Sequence, residues 1–106
     1  MQLFDLNGKN AVILGGGGVL GTAMAKGLAD AGANVAVCDL RLENAEQTVK
    51  MINAADKNLK AYKLNATDVE DLKRVCDAIV RDFGSIDILI NAVGGNMKEA
   101  TTTLFR

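Results

Sequence analysis

The chain has 106 residues, 49% of them apolar, and 12 basic against 13 acidic side chains leave a net charge of −1. That is apolar material for the core of one domain, and the balanced charge with no basic block argues against nucleic acid or an anionic membrane as the main partner. No apolar run approaches the roughly 20 residues of a membrane span, and the absence of histidine excludes imidazole chemistry and His-based metal sites within these residues.

The segment 10–14, Asn-Ala-Val-Ile-Leu, reads as a buried strand, and four consecutive glycines, Gly15 to Gly18, follow it. Gly21 and the small residues after it predict a helix to about Ala31, closed by Gly32 as a C-terminal glycine closes helices. The segment 34–39 is the second strand. Its unbroken Val35-Ala36-Val37-Cys38 suits a sheet covered on both faces, and an acid, Asp39, ends it. From Leu42 to about Ala55, the positions Leu42, Ala45, Val49 and Ile52 form one helical stripe.

Strand three is predicted over 60–64, with Ala61, Tyr62 and Leu64 as apolar members. Thr67 and Glu70 have capping-box spacing ahead of a third helix to about Phe83, and Asp68, Glu70 and Asp71 suit its positive N-terminus. Val69, Leu72, Val75, Cys76, Ile79, Val80 and Phe83 would face inward, with Gly84 ending the helix. Strand four covers 86–90, Gly94-Gly95 follow, and a short helix over 99–105 is expected last. Regular strand–helix alternation implies right-handed crossovers and a parallel sheet ordered 3-2-1-4 with helices on both faces. The fold class is α/β, a Rossmann-type sheet, the N-terminal half of a doubly wound domain.

The chemistry sits in the glycine run. Glycines let the backbone leave the strand tightly and approach a pyrophosphate, and the helix start presents free N–H groups to the anion. Gly16-x-Gly18-x-x-Gly21 fits the general dinucleotide pattern, and Gly15-x-x-Gly18-x-x-Gly21 fits a related one. A glycine-rich turn alone is also ordinary loop punctuation. Strand, loop, helix, strand and acid in that order make the nucleotide reading the stronger. Asp39 would accept from the ribose hydroxyls and repel a 2′-phosphate, and no cation stands in the loop or at Leu40. Arg41 reads as a surface residue starting helix two. The cofactor expected is NAD.

These residues resemble the short-chain dehydrogenase/reductase family over the whole chain. The carriers are the approach 4–13, the glycine loop, Asp39, the Asn65-Ala66-Thr67-Asp68 step and Asp87-Ile88-Leu89-Ile90-Asn91-Ala92-Val93-Gly94. The last stretch is the more diagnostic, since generic Rossmann enzymes lack it. The loop, residues 91–96 and Ala100-Thr101-Thr102 resemble the family's sugar-acid branch, oxidoreductases of the D-mannonate and fructuronate type. Three positions depart from the family pattern. Val19 stands at the middle glycine, Asn65 at the adenine-contacting Asp, and Ala92 at the second Asn of the strand-four motif.

The resemblance implies hydride transfer between a nicotinamide cofactor and a secondary alcohol or ketone. Gly15, Gly17, Gly18 and Leu20 would hold the pyrophosphate, Asp39 the adenosine ribose, and Asn65 and Ala66 the adenine, with Gly21 and Leu40 also in the cofactor site. Gly18 would take over the close approach lost at Val19, and the Asn65 side-chain oxygen would accept from the adenine amino group. Asn91, Ala92, Val93 and Gly94 would line the path toward nicotinamide. The family's Ser and Tyr-x-x-x-Lys are not matched. The single tyrosine, Tyr62, is followed four residues on by Ala66, and the single serine, Ser85, lies in a turn before strand four. No catalytic residue is therefore assigned within the chain, and the resemblance implies that the Ser, Tyr and Lys lie beyond Arg106.

Residues 1–106 accordingly read as an NAD-binding domain truncated before its catalytic half, with a free-standing nucleotide-binding regulatory module as the alternative. No metal is expected. Without a secretory leader in 1–5, and with Cys38 and Cys76 inside predicted elements as reduced core thiols, the expected place is the cytoplasm. Strand four would be an uncovered apolar edge, so self-association through it or through 101–105 is expected.

Overall fold

The computed structural model describes residues 5–52 and 58–92. Seven elements follow one another: β1 (Asn10–Leu14), α1 (Val19–Asp30), β2 (Asn34–Asp39), α2 (Leu42–Ile52), β3 (Leu59–Lys63), α3 (Val69–Phe83) and β4 (Ile88–Asn91). The strands form one parallel sheet in the order β3-β2-β1-β4, as the alternation requires.

Side chains alternate across a strand, so each sheet face receives every second residue. Ala11 and Ile13 of β1 with Val35 and Val37 of β2 meet Ala25, Ala29 and Ala45 from α1 and α2. Small residues on those helices let them lie close to the sheet. Val12 and Leu14 with Ala36 and Cys38 meet Leu72, Val75 and Ile79 of α3 on the other face. Helices therefore cover both faces, and all five β1 residues are buried.

Several details differ from the sequence-based expectation. Strand three runs one residue earlier than predicted, and strand four starts at Ile88 rather than Ile86. Leu42 is exposed, while Thr48 is buried in its stripe. Val69 and Val80 are also exposed, because they lie off the Leu72–Val75–Ile79 seam that packs on the sheet, while Phe83 packs against that seam as expected. The helix α3 is capped by Asp68, whose carboxylate accepts from the N–H groups of Glu70 and Asp71. Thr67 donates instead to Asn65 Oδ1, so the Thr67–Glu70 box does not form. Gly32 and Gly84 have φ of 105° and 101° and end α1 and α3 as expected. The helix expected over 99–105, the terminal Arg106 and the end of helix two near Ala55 lie outside the described residues. No helix among the described residues is long and apolar enough to cross a membrane.

Polar side chains tie the N-terminal end of the sheet. Asn10, 6% exposed, donates to the Phe83 carbonyl and Ser85 Oγ and accepts from Asn34 Nδ2. Asp87 accepts from the Asn10 N–H at 2.9 Å. Ser85 is thus a structural turn residue at the far end from the glycine loop.

Candidate functional site

The parallel register brings the C-terminal ends of three strands together: Leu14 lies beside Cys38 on one side and Asn91 on the other. In open parallel sheets this edge is where ligands bind. The glycine loop leaves it at Gly15, whose φ of 79° is the left-handed conformation a side chain would resist. The N–H groups of Gly15 and Gly16 both donate to the Cys38 carbonyl, at 2.8 and 2.9 Å. The Gly17 N–H donates to Asp39 Oδ2 at 3.0 Å, and the Arg41 N–H donates to Asp39 Oδ1 at 3.0 Å. Asp39 therefore both ends β2 and holds the loop.

Space around the loop distinguishes its glycines. A Cβ at Gly21 would strike the Gly15 carbonyl oxygen and come within 2.6 Å of Gly16 Cα. At Gly17 it would lie 2.6 Å from both Asn44 Cβ and Asp39 Oδ2. At Gly18 the nearest atom is 3.9 Å away, so that face of the loop is open.

Gly18 is the N-cap of α1, and no side chain caps this helix or places an acid in its first turn. The first N–H groups of a helix lack intrahelical acceptors and carry a partial positive charge. With the Gly15 and Gly17 N–H groups committed inside the protein, the donors left for an anion are those of the first turn of α1. Val19, at the family's middle glycine, is 93% exposed and leaves the loop interior unfilled, and Leu20 is also exposed.

Beside the loop lies a pocket of about 120 Å³, lined mainly by apolar atoms. It brings together Gly15, Asp39, Leu40, Asn65 and Ala66, all expected from sequence, and adds Cys38, Leu64 and Thr67. Asn65 is placed as expected, but its side-chain oxygen already accepts from the Thr67 N–H and Oγ1, at 3.2 and 2.7 Å. It shapes the turn from within. Burial pushes the Cys38 thiol up to about 12, with Cys76 and Asp39 adding smaller contributions, so it is an inert wall of the pocket. Both cysteines are free, Cys38 buried and Cys76 half-buried. Asn91 sits at the end of β4 across from Leu14, and the Ala92 N–H donates to the Leu14 carbonyl at 2.8 Å. Val93 and Gly94 lie outside the described residues.

Tyr62 stands beside Cys38 in the sheet register but does not line the pocket. Its hydroxyl donates to Asp82 Oδ2 at 2.7 Å, and burial together with that bond raises its pKa further above the phenol range. Sequence reasoning missed Thr22 and Thr48, whose hydroxyls lie 2.9 Å apart under the loop. Thr48 donates to the Gly16 carbonyl at 3.0 Å and Thr22 lies 3.4 Å from the same oxygen. The available signal was a threonine within the inward stripe of helix two.

An acid beside a glycine loop, an uncapped helix start and an adjoining apolar pocket together fit an adenine dinucleotide. A model of the short chain dehydrogenase family matches residues 9–105. An uncharacterised oxidoreductase of Haemophilus influenzae is 46% identical over 92% of this chain and 34% of its own length. A crystal structure from Haemophilus influenzae, assigned as a D-mannonate oxidoreductase with bound NAD, superposes with a TM-score of 0.80 at 45% identity. That match covers 88% of this chain and 33% of the other. An NAD+-bound xylitol dehydrogenase also gives 0.80, at 33% identity over 85% and 35% of the two chains. The chain spans about a third of the length of these relatives. The family match spans residues 9–105 and the topology superposes on those relatives, and the chain belongs to the short chain dehydrogenase family.

Proposed function

We propose that this chain is the NAD-binding portion of an oxidoreductase acting on a secondary alcohol or ketone, with a sugar acid or polyol as the substrate class. The observation that carries the reading is the Asp39 carboxylate, held beside the glycine loop and the open N-terminus of α1. An acid there accepts from vicinal ribose hydroxyls and repels a 2′-phosphate. The bound nicotinamide would supply the hydride or receive it. The chain's own residues bind and orient. Gly15, Gly17 and Gly21 keep the loop thin, Gly18 and Leu20 at the start of α1 face the pyrophosphate, and Asp39 and Leu40 take the ribose. Asn65 and Ala66 flank the adenine, and Asn91, Ala92, Val93 and Gly94 lead toward nicotinamide.

The substrate class rests on the sugar-acid and polyol names of the structural relatives, together with the resemblance in the loop and residues 91–96. Residues 1–106 act as one cofactor domain in this reading, and the proton-transfer groups come from outside them, beyond Arg106. Tyr62 and Ser85 are committed to Asp82 and to the Asn10–Asp87 cluster.

The test is a titration of the protein and its Asp39→Ala variant with NAD and NADP. A charge-assisted hydrogen bond lost at the ribose should weaken NAD roughly ten- to a hundredfold and erase the preference over NADP. Equal affinity of the unaltered protein for both dinucleotides, or an unchanged ratio in the variant, would remove Asp39 from the site.

A further inference from the structure

The Gly16 carbonyl and the Gly17 N–H belong to one peptide unit. In a planar trans peptide these two groups point in opposite directions, and the described backbone has no cis bonds. The carbonyl end receives the Thr48 hydroxyl at 3.0 Å, with Thr22 behind it at 2.9 Å from Thr48. The N–H end donates to Asp39 Oδ2 at 3.0 Å. One rigid plane therefore connects two helix hydroxyls to the carboxylate.

Three features argue that this is more than packing. Thr48 is 2% exposed and shares its stripe with Ala45, Val49 and Ile52, where a methyl in place of the hydroxyl would fill the same space. Its hydroxyl is spent on the loop rather than on its own helix. Asn44, one turn earlier on α2, stands close by on the same side, where it leaves no room for a Cβ at Gly17. Hydrogen bonding at a carbonyl also polarises its peptide and strengthens the N–H as a donor.

We propose that Thr48, supported by Thr22, is a positioning residue for cofactor selection: it fixes the Gly16–Gly17 peptide, whose N–H aims the Asp39 carboxylate at the ribose. The inference rests on the dinucleotide reading above. Thr48 touches no ligand; it acts through the peptide and Asp39.

Thr48→Val keeps the shape and removes the hydroxyl, and Thr48→Ser restores it. In the ligand-free protein, amide exchange at Gly17, followed by nitrogen-15 NMR, should speed up roughly fivefold in Thr48→Val and return to normal in Thr48→Ser. NADH affinity by fluorescence titration should fall about fivefold in Thr48→Val while NADPH changes less than about twofold, narrowing the preference. Thr22→Val, at a half-buried site, should give a smaller shift of the same kind and serves if Thr48→Val does not fold. Unchanged Gly17 exchange in Thr48→Val overturns the proposal, and so does an equal loss of both dinucleotides. If the unaltered protein takes neither dinucleotide, the nucleotide reading fails; accelerated Gly17 exchange in Thr48→Val would still establish the clamp, and normal exchange would refute it.

Discussion

At the scale of single residues, the glycines of the loop are not equivalent, and the differences are measurable. Gly21 has no room for a Cβ, because the Gly15 carbonyl and Gly16 Cα occupy the space. Gly21→Ala should cost about 1–3 kcal/mol by overpacking, read as a lower thermal midpoint, and should distort the loop enough to abolish dinucleotide binding. Gly18 is the opposite case. Its φ of −84° and ψ of 176° suit any L-residue, and its Cβ would project into open space. Asp caps a helix better than Gly and suits its positive end, so Gly18→Asp should hold or raise stability by up to about 1 kcal/mol. It should also place a carboxylate on the N–H groups proposed for the pyrophosphate and remove binding. A variant that folds better and binds worse would mark the open start of α1 as functional. Retained affinity in Gly18→Asp would place the anion elsewhere.

At the scale of elements, α3 is latched to β3 and its following turn at both ends by carboxylates. Asp82 accepts from Lys60 Nζ and Tyr62 Oη, each at 2.7 Å, and Asp71 accepts from the Asn65 N–H at 2.8 Å. The Lys60 bond, followed by that from Tyr62, holds Asp82 at about 2. The Asn65 N–H, followed by Arg74, holds Asp71 below its ordinary range. Both folded-state values are depressed, so the stabilisation is present above the unfolded carboxylate range and is lost as pH falls through the folded values. Thermal midpoints should drop between about pH 4 and pH 2, and Asp82→Asn should flatten that part of the curve. Added salt should weaken the effect, since these groups lie near solvent. An identical acid profile in Asp82→Asn would show that the latch carries no linkage. These latches also mark the limit of what sequence discloses. The order of the strands was legible because unbroken apolar runs alternate with amphipathic ones, and Asp39 was legible because it ends such a run. The cap was not, because Thr67 and Asp68 are both good capping residues and only backbone geometry selects between them. Nor was Thr48, since a hydroxyl in an apolar stripe points to no partner until α2 is docked over the loop.

At the scale of the whole molecule, the site is a junction rather than a cavity within one element. The loop after β1, the acid ending β2, the turn after β3 and the end of β4 meet on one edge of the sheet. A ligand that touches all of them is coupled to global unfolding, because none of these contacts survives loss of the sheet. Binding to the folded state alone stabilises it by about 2.7 kcal/mol at a free ligand concentration one hundred times Kd. For a domain of this size that corresponds to a rise in Tm of roughly 10 to 20 °C. NAD should therefore raise the thermal midpoint with a logarithmic dependence on its concentration, and NADP should do so only at higher concentrations. The shift should shrink in Asp39→Ala and disappear in Gly18→Asp. Since β1, one of the two interior strands, is buried along its full length, it should melt together with the site in a single transition. A midpoint indifferent to NAD would mean that the edge assembled by these four strand ends does not bind the cofactor, and the proposed role of the chain would fall with it.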